Sequence, residues 1–352
     1  MPTPKRKKAG GRPSPLTALY PDLVAFAYDH RLVTAEHVRY RFRLTKRTAA
    51  RHLDQLTRQH GYLATVPIRH ALSSFPRVYL ATPAGLSFLQ QAIRDRRGVA
   101  VNIERGEEPR PGRPRDITGV QHELDVTTFD LAADRTFGVL PRTVLAATVR
   151  RYHRQGLRYE GGSLIPDAGY HVLHDNEGLA TLDLAFLELD RGTESLANIK
   201  AKLAAYDRWA ESEYGQKYLQ NIFHRYGDTL TDTPNFRLLI VAKARAGEGS
   251  DLDRLAAIAA EALACSPAMR RRTWLATYDN LVKAMAADAP LTENLFYRLR
   301  GDWIEAYRQA TRRLQQAGIP DPDIAARQRA FLVRQLDRTT TLPLLAVKEA
   351  VI

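Results

Sequence analysis

A chain of 352 residues with 44% hydrophobic content is long enough for two or three packed domains and is not a disordered polypeptide. Its formal charge of +13 is unevenly spread: residues 1–115 carry 22 Lys or Arg against 8 Asp or Glu, whereas residues 116–352 carry 30 against 31. The whole excess lies in the first third, which points to a polyanion partner for that region and excludes a uniformly basic surface. Cys265 is the one cysteine, so an internal disulfide and a multi-cysteine zinc site are excluded and a reducing cytoplasm is the expected setting. The longest apolar runs, such as Leu238–Ala242, are too short to cross a bilayer, and the N-terminal KRKKAGGRPSP lacks a signal peptide's apolar stretch. A soluble protein with no membrane span is expected.

Residues 1–15 read as a basic, Gly/Pro-rich disordered tail. Leu19, Leu23 and Phe26 then mark a first helix, and Thr34 caps a second carrying Val38 and Phe42. Thr45 caps a third helix running to about His60, closed by Gly61. Three helices in so short a span read as a helix-turn-helix. The β-prone runs YLATVPIRH and RVYLATP, separated by ALSSFP, add a hairpin or wing, and a helix capped by Thr82 with Pro83 at its first position runs to about Arg97. This defines a winged-helix domain over residues 16–97, followed by a Gly-, Pro- and charge-rich linker at 98–115.

From residue 116 to 289 helix and strand alternate. The patterns predict a helix over 118–133, strands near 141–150, 158–165, 167–174 and 181–189, a helix from Thr193 to about Glu211 and further helix to about Tyr226. A strand at 236–243, a helix over 251–264 and a strand at 272–278 complete an α/β unit with a mixed sheet. Residues 290–352, with Trp303, Tyr307 and many arginines, read as a helical C-terminal extension.

In the third helix Ala49, Leu53 and Leu56 share one side, and Arg47, Arg51 and Arg58 lie near the opposite side. A helix of this kind in a major groove brings Lys46, Arg47 and Arg51 to phosphates or base edges of double-stranded DNA, with Arg69 and Arg77 on the hairpin reaching the flanking backbone. The alternative is that the arginines form a solvated face and the domain makes a homodimer. Two segments, GGRPS at 10–14 and PGRPR at 111–115, have the look of AT-hook cores that lie in a narrow minor groove.

The chemistry concentrates in IPDAGYHV and, some twenty residues on, LAFLELDRGTESLANIKAKLAAY. Asp167 opens one strand; Glu188 and Asp190 lie two apart on the next, sharing a face with Leu182, Leu184 and Phe186 where that strand runs out. Hard carboxylate oxygens so placed suit Mg²⁺ or Mn²⁺, which hold a scissile phosphate, lower the pKa of a bound water and neutralise growing charge. Lys200 and Lys202 follow on the next helix, flanking a packed stripe of Leu196, Ile199, Leu203 and Tyr206, and spacing alone does not choose between them. Glu123 is a further candidate metal ligand, or a solvent-facing residue. Arg191 either contacts phosphate or pairs with Asp190 or Glu194, and Tyr206 reads as core. His171 and His174 do not form a two-histidine relaxase tract, and neither a glycine-rich phosphate loop nor a Gly-x-Ser-x-Gly elbow is present.

The winged-helix start, the PD at 166–167, and ELDRGTE followed by K-L-x-x-Y resemble the replication-relaxation family of plasmids and mobile elements. The second half is similar in layout to the PD-(D/E)xK restriction-endonuclease superfamily. The resemblance implies an accessory or relaxase-like role on plasmid DNA, alongside mobilisation or replication machinery. It matches Asp167 to the first acid and Glu188 to the second, and sets His122 at a family-like position. It departs at Asp190, which stands where the motif has lysine, so that lysine comes from the next helix, and K-L-x-x-Y favours Lys202. The expected activity is a Mg²⁺- or Mn²⁺-dependent DNA nickase or endonuclease. The competing expectations are a non-catalytic DNA-binding accessory factor on a degenerate nuclease fold, and a defence-type restriction nuclease.

Overall fold

The computed structural model describes residues 18–69, 72–97, 114–139, 143–149, 156–176, 179–226, 236–245, 247, 249–286, 297–298 and 301–338. The expected tail with its GGRPS segment, the linker as far as residue 113 and the ends of the C-terminal extension lie outside them. So do the side chains of Trp303 and Tyr307. The chain divides into two compact units, Met1–Leu131 and Ala132–Ile352.

In the first unit α1 (Tyr20–Asp29) leads through β1 (Val33–Thr34) to α2 (Ala35–Phe42) and α3 (Lys46–Arg58), then to a hairpin of β2 (Leu63–Thr65) and β3 (Val78–Ala81) and to α4 (Pro83–Arg97). The strands form an antiparallel sheet in the order β1-β3-β2. The predicted caps act as read: the Thr45 hydroxyl accepts the Thr48 N–H at 3.1 Å, and the Thr82 hydroxyl accepts that of Gly85 at 3.1 Å while donating to the Gly61 carbonyl at 2.6 Å. The amphipathic split of α3 is also present, with Ala49, His52, Leu53 and Leu56 buried and Lys46, Arg47, Arg51 and Arg58 exposed.

This unit extends past the expected linker. α5 (Ile117–Val139) begins on an Asp116 carboxylate that accepts the Thr118 N–H at 2.9 Å, and its Val120 and Leu124 pack with Leu32, Val66, Val78 and Leu80. Polar contacts reinforce the packing. Arg31 donates to Glu123 at 2.8 Å, His30 meets Asp130 at 3.1 Å, and the Thr127 hydroxyl donates to the Leu32 carbonyl at 3.2 Å. Arg115, the last residue of the PGRPR segment, pairs through its backbone with Pro67 and Arg69 beside the hairpin, both bonds at 3.0 Å. The helix predicted to open the second domain thus supplies apolar residues that the small first sheet needs to bury its face.

The second unit is built on a six-stranded mixed sheet in the order β11-β10-β9-β8-β7-β4. β4 (Thr143–Val149), β7 (Ala168–Asn176) and β8 (Leu179–Asp190) form an antiparallel meander. β9 (Phe236–Ala242) and β10 (Thr273–Thr277) then run parallel to β8, and β11 (Tyr297–Arg298) closes the edge antiparallel. The strand expected at 158–165 is instead a separate hairpin of β5 (Leu157–Tyr159) and β6 (Gly162–Leu164). Gly161, at φ 86°, supplies the left-handed residue of its two-residue turn, a signal the hydrophobic pattern conceals.

Between β8 and β9 the chain forms α6 (Leu196–Glu211) and α7 (Glu213–Tyr226); α8 (Asp251–Leu263) and the short α9 (Pro267–Arg272) connect β9 to β10. α10 (Tyr278–Ala286), α11 (Gly301–Gln316) and α12 (Asp321–Arg338) follow. α6 begins at Ser195, whose hydroxyl accepts the Asn198 N–H at 3.2 Å, two residues later than read, and α8 begins with a reciprocal Ser250–Asp253 capping box. Leu182, Leu184 and Phe186 of β8 pack against Ile199, Leu203, Tyr206 and Trp209 of α6, with the Phe186 and Trp209 rings edge-on at 5.5 Å. Leu332 and Leu336 of α12 belong to this same core, so the expected C-terminal extension is in part a structural layer of the unit.

The turn from α6 to α7 is tight. The Ser212 hydroxyl donates to the Trp209 carbonyl at 2.8 Å and accepts the Gly215 N–H at 3.1 Å, and a Cβ on Gly215 would lie 1.9 Å from that carbonyl oxygen. Among the described residues no helix is long and apolar enough to cross a membrane.

Candidate active site

Because side chains alternate along β8, the face that buries Leu184 and Phe186 continues into Glu188 and Asp190 at the strand's C-terminal end. Both carboxylates are buried, at 6% and 7% exposure. Asp167 immediately precedes β7. Its N–H donates to the Leu187 carbonyl at 3.0 Å and its Oδ2 accepts the Leu189 N–H at 2.8 Å, so the register Ala168↔Leu187 continues by one residue and sets Asp167 beside Glu188.

A buried carboxylate needs partners, and Glu188 has two. Its Oε2 accepts Lys202 Nζ at 2.9 Å and its Oε1 accepts the Tyr206 hydroxyl at 2.7 Å. Burial, and next the charge of Asp167, nevertheless push the Glu188 carboxyl up to about 7, against the opposing pull of Lys202 and Tyr206. Burial also works against charge on Lys202, but Glu188 and Glu194, the latter at 3.0 Å, outweigh it and hold the ammonium above its usual range.

The two lysines that spacing left open lie differently. Lys202 points at Glu188; Lys200 is exposed, and its charge is felt instead at Cys265. Tyr206, read as core, is fully buried and also a hydrogen-bond donor to the acid.

Two expected metal ligands are engaged elsewhere. Asp190 is held by Arg254, with Nε to Oδ2 at 2.5 Å and Nη2 to Oδ1 at 3.1 Å, and it accepts the Gly192 N–H at 3.2 Å. Glu123 pairs with Arg31 inside the first unit. Among the described residues no three His, Cys, Asp or Glu side chains gather as a metal cage. Asp190 and Glu123 are thus each paired with a guanidinium group, while Asp167 and Glu188 stand side by side across β7 and β8.

Arg254 was missed by sequence reasoning. Its signal was faint: a cation in the first turn of a helix opened by Asp251 and Asp253, where the helix dipole disfavours positive charge unless it serves another group. Its Nη2 also donates to the Glu194 carbonyl at 2.7 Å, fastening the loop between β8 and α6. A cavity of about 20 Å³ lies amid Glu188, Asp190, Glu194 and Lys202, room for one water-sized body.

In the first unit Lys46, Arg47, Arg51, Arg69 and Arg77 are exposed, and Arg58 is exposed while paired with Asp54 at 2.7 Å. Arg77 lies near enough to Tyr79 for its charge to act on that phenol. His122 is half-buried on α5.

Fold and site together define a mixed α/β protein in which a basic helical unit precedes a unit with a buried carboxylate–lysine centre at a strand end. The profile of the replication-relaxation family matches residues 25–224, more than half of the chain. The chain belongs to that family. No curated protein and no solved structure matches it.

Proposed function

We propose that this protein is a divalent-metal-dependent DNA nickase acting on plasmid or mobile-element DNA, relaxase-like in role, with Asp167, Glu188 and Lys202 as its working residues. The observation that carries the reading is the centre itself: a buried glutamate crowded by a second carboxylate across two strands, with a lysine ammonium at 2.9 Å.

Mg²⁺ or Mn²⁺ fits this pair. Burial first, and then the charge of the neighbouring Asp167, raise the Glu188 carboxyl, and a small dication beside both acids would relieve that repulsion. Mg²⁺ is ordinarily held by one or two carboxylates together with waters and substrate phosphate, so a full protein cage is not required. When bound, such an ion supplies Lewis-acid stabilisation of the charge that grows on a phosphodiester under attack. Asp167 and Glu188 would hold it. Lys202, kept protonated by Glu188 and Glu194, adds positive charge beside the phosphate, and Tyr206 fixes the Glu188 carboxylate.

The first unit supplies the address. Its β1-β3-β2 sheet and exposed α3 arginines support a winged helix whose third helix enters the major groove of double-stranded DNA. The family and the surplus of basic residues in the first third agree with this partner.

Supercoiled plasmid carrying the cognate replicon, incubated with the pure protein and Mn²⁺, should yield open circles. Asp167→Asn and Glu188→Gln should abolish nicking while leaving DNA binding intact. Equal nicking by both variants would end the assignment. A non-catalytic plasmid accessory factor is the second reading, and the Arg254 grip on Asp190 favours it, because it removes one acid from the ligand set. That reading predicts DNA binding with no calorimetric uptake of Mn²⁺.

A further inference from the structure

The C-terminal end of α8 turns through Cys265 and Ser266 into α9, and α11 comes close enough that the charge of Arg308 is felt by Arg270. Between them is a cavity of about 430 Å³, a size typical of small-molecule sites. Leu263, Ala264 and Pro267 give the lining an apolar part and Arg270 and Arg308 a cationic one, with no carboxylate among the described lining residues.

Arg270 is fixed for recognition. Its Nη1 donates to the carbonyls of Leu263 and Cys265 at 3.1 and 3.0 Å, which sets the plane of the guanidinium. Its Nε is buried and, among the described residues, has no hydrogen-bond partner. Two guanidinium groups lining one cavity without an anion repel each other. That repulsion is relieved if Arg270 and Arg308 bind an oxyanion, since planar guanidinium donors match phosphate oxygens. The apolar part is the complement of a base or sugar.

We propose that this cavity is a nucleotide-phosphate site, with Arg270 and Arg308 on the phosphate and Leu263, Ala264 and Pro267 against the nucleoside. None of these residues belongs to the proposed nicking centre, so the site stands whether or not that centre cuts DNA. The phosphate has two potential sources, a free nucleotide or a single DNA strand.

Calorimetry on the full chain with inorganic phosphate, a deoxynucleoside 5′-monophosphate and a short 5′-phosphorylated single strand separates them. Arg308 is exposed, so Arg308→Ala leaves the fold intact; it should weaken nucleotide binding about tenfold, the worth of one charge-assisted contact. Arg308→Lys should restore part of the loss. Cys265 lines the cavity and is the chain's one cysteine, so bound ligand should slow its alkylation by a thiol reagent, which excludes binding at the basic first unit. Tighter binding of the strand assigns the site to DNA; equal binding of the mononucleotide assigns it to the free nucleotide. The proposal is overturned if neither nucleotide ligand binds, if inorganic phosphate binds as tightly as both, if Arg308→Ala binds unchanged, or if saturating ligand leaves Cys265 unprotected.

Discussion

Arg254 and Asp190 meet through two parallel nitrogen–oxygen contacts at the C-terminal edge of the main sheet, with their side chains only 16% and 6% exposed. The geometry is the bidentate fork that makes arginine–carboxylate pairs directional. Since Arg254 also holds the Glu194 carbonyl, one side chain ties the end of β8 to the loop that leads into the Lys202 helix.

Arg254→Ala strands a buried carboxylate and should cost about 3–5 kcal/mol, the usual penalty for removing one partner of a buried pair. Replacing both partners, Arg254→Met with Asp190→Leu, should recover most of that loss. Urea unfolding followed by the fluorescence of the buried Trp209 checks this. A single variant as stable as the parent would show the grip to be idle.

The Glu188 carboxyl, raised to about 7 by burial and then by Asp167, gives the second unit a definite pH response. The folded chain retains a proton that the unfolded chain has already released. Its stability should therefore fall as pH rises from the ordinary carboxylate range through about 7. Asp167→Asn removes the neighbouring charge and should move that loss to lower pH, visible in melting temperatures taken between about pH 5 and 8. Mn²⁺ affinity should rise over the same interval as Glu188 ionises, and a pH-independent affinity would count against Glu188 as a ligand.

His52 gives the first unit the opposite sign. It is fully buried against Tyr20, neither ring nitrogen is hydrogen-bonded among the described residues, and burial first, then Arg51, keep its pKa below the usual value. Protonation favours the unfolded chain. This contribution is complete above the unfolded histidine value of about 6.5 and is lost as pH falls. His52→Leu should flatten the acid limb of the unit's circular-dichroism melting curve; an unchanged limb would assign acid sensitivity to other groups.

On DNA, Arg47→Ala and Arg51→Ala should each weaken binding and lower the slope of log affinity against log salt by about 1, as expected for one lost phosphate contact. Arg58→Ala should do less, because that guanidinium is already paired with Asp54. Fluorescence anisotropy over a salt series on a replicon fragment measures all three. Equal slopes in every variant would place the DNA elsewhere.

The acids and the elements that carry them were legible because strand alternation, caps and the Pro-Asp start are local signals. Thr45 and Thr82 cap the helices that their spacing predicts, and Glu188 takes the face assigned to it. Three things were not legible, and each depends on distant residues. Arg254 reaches Asp190 across 64 positions, the Lys202–Lys200 choice turns on which side of α6 meets the sheet, and α5 docks on the first unit through Val120 and Leu124. The division of β5 from β6 rested on a glycine within an otherwise strand-like run, where local turn geometry overrides hydrophobic pattern.

The corner between α6 and α7 makes position 215 a one-atom test of the wall that carries the Glu188 centre. With hydrogen alone tolerated beside the Trp209 carbonyl, even a methyl group must lever the second helix outward. That movement would loosen the indole from Phe186 and, through the same helix, the hydroxyl and ammonium that hold Glu188. A swap remote from every charged group would thereby silence the centre by unseating its scaffold.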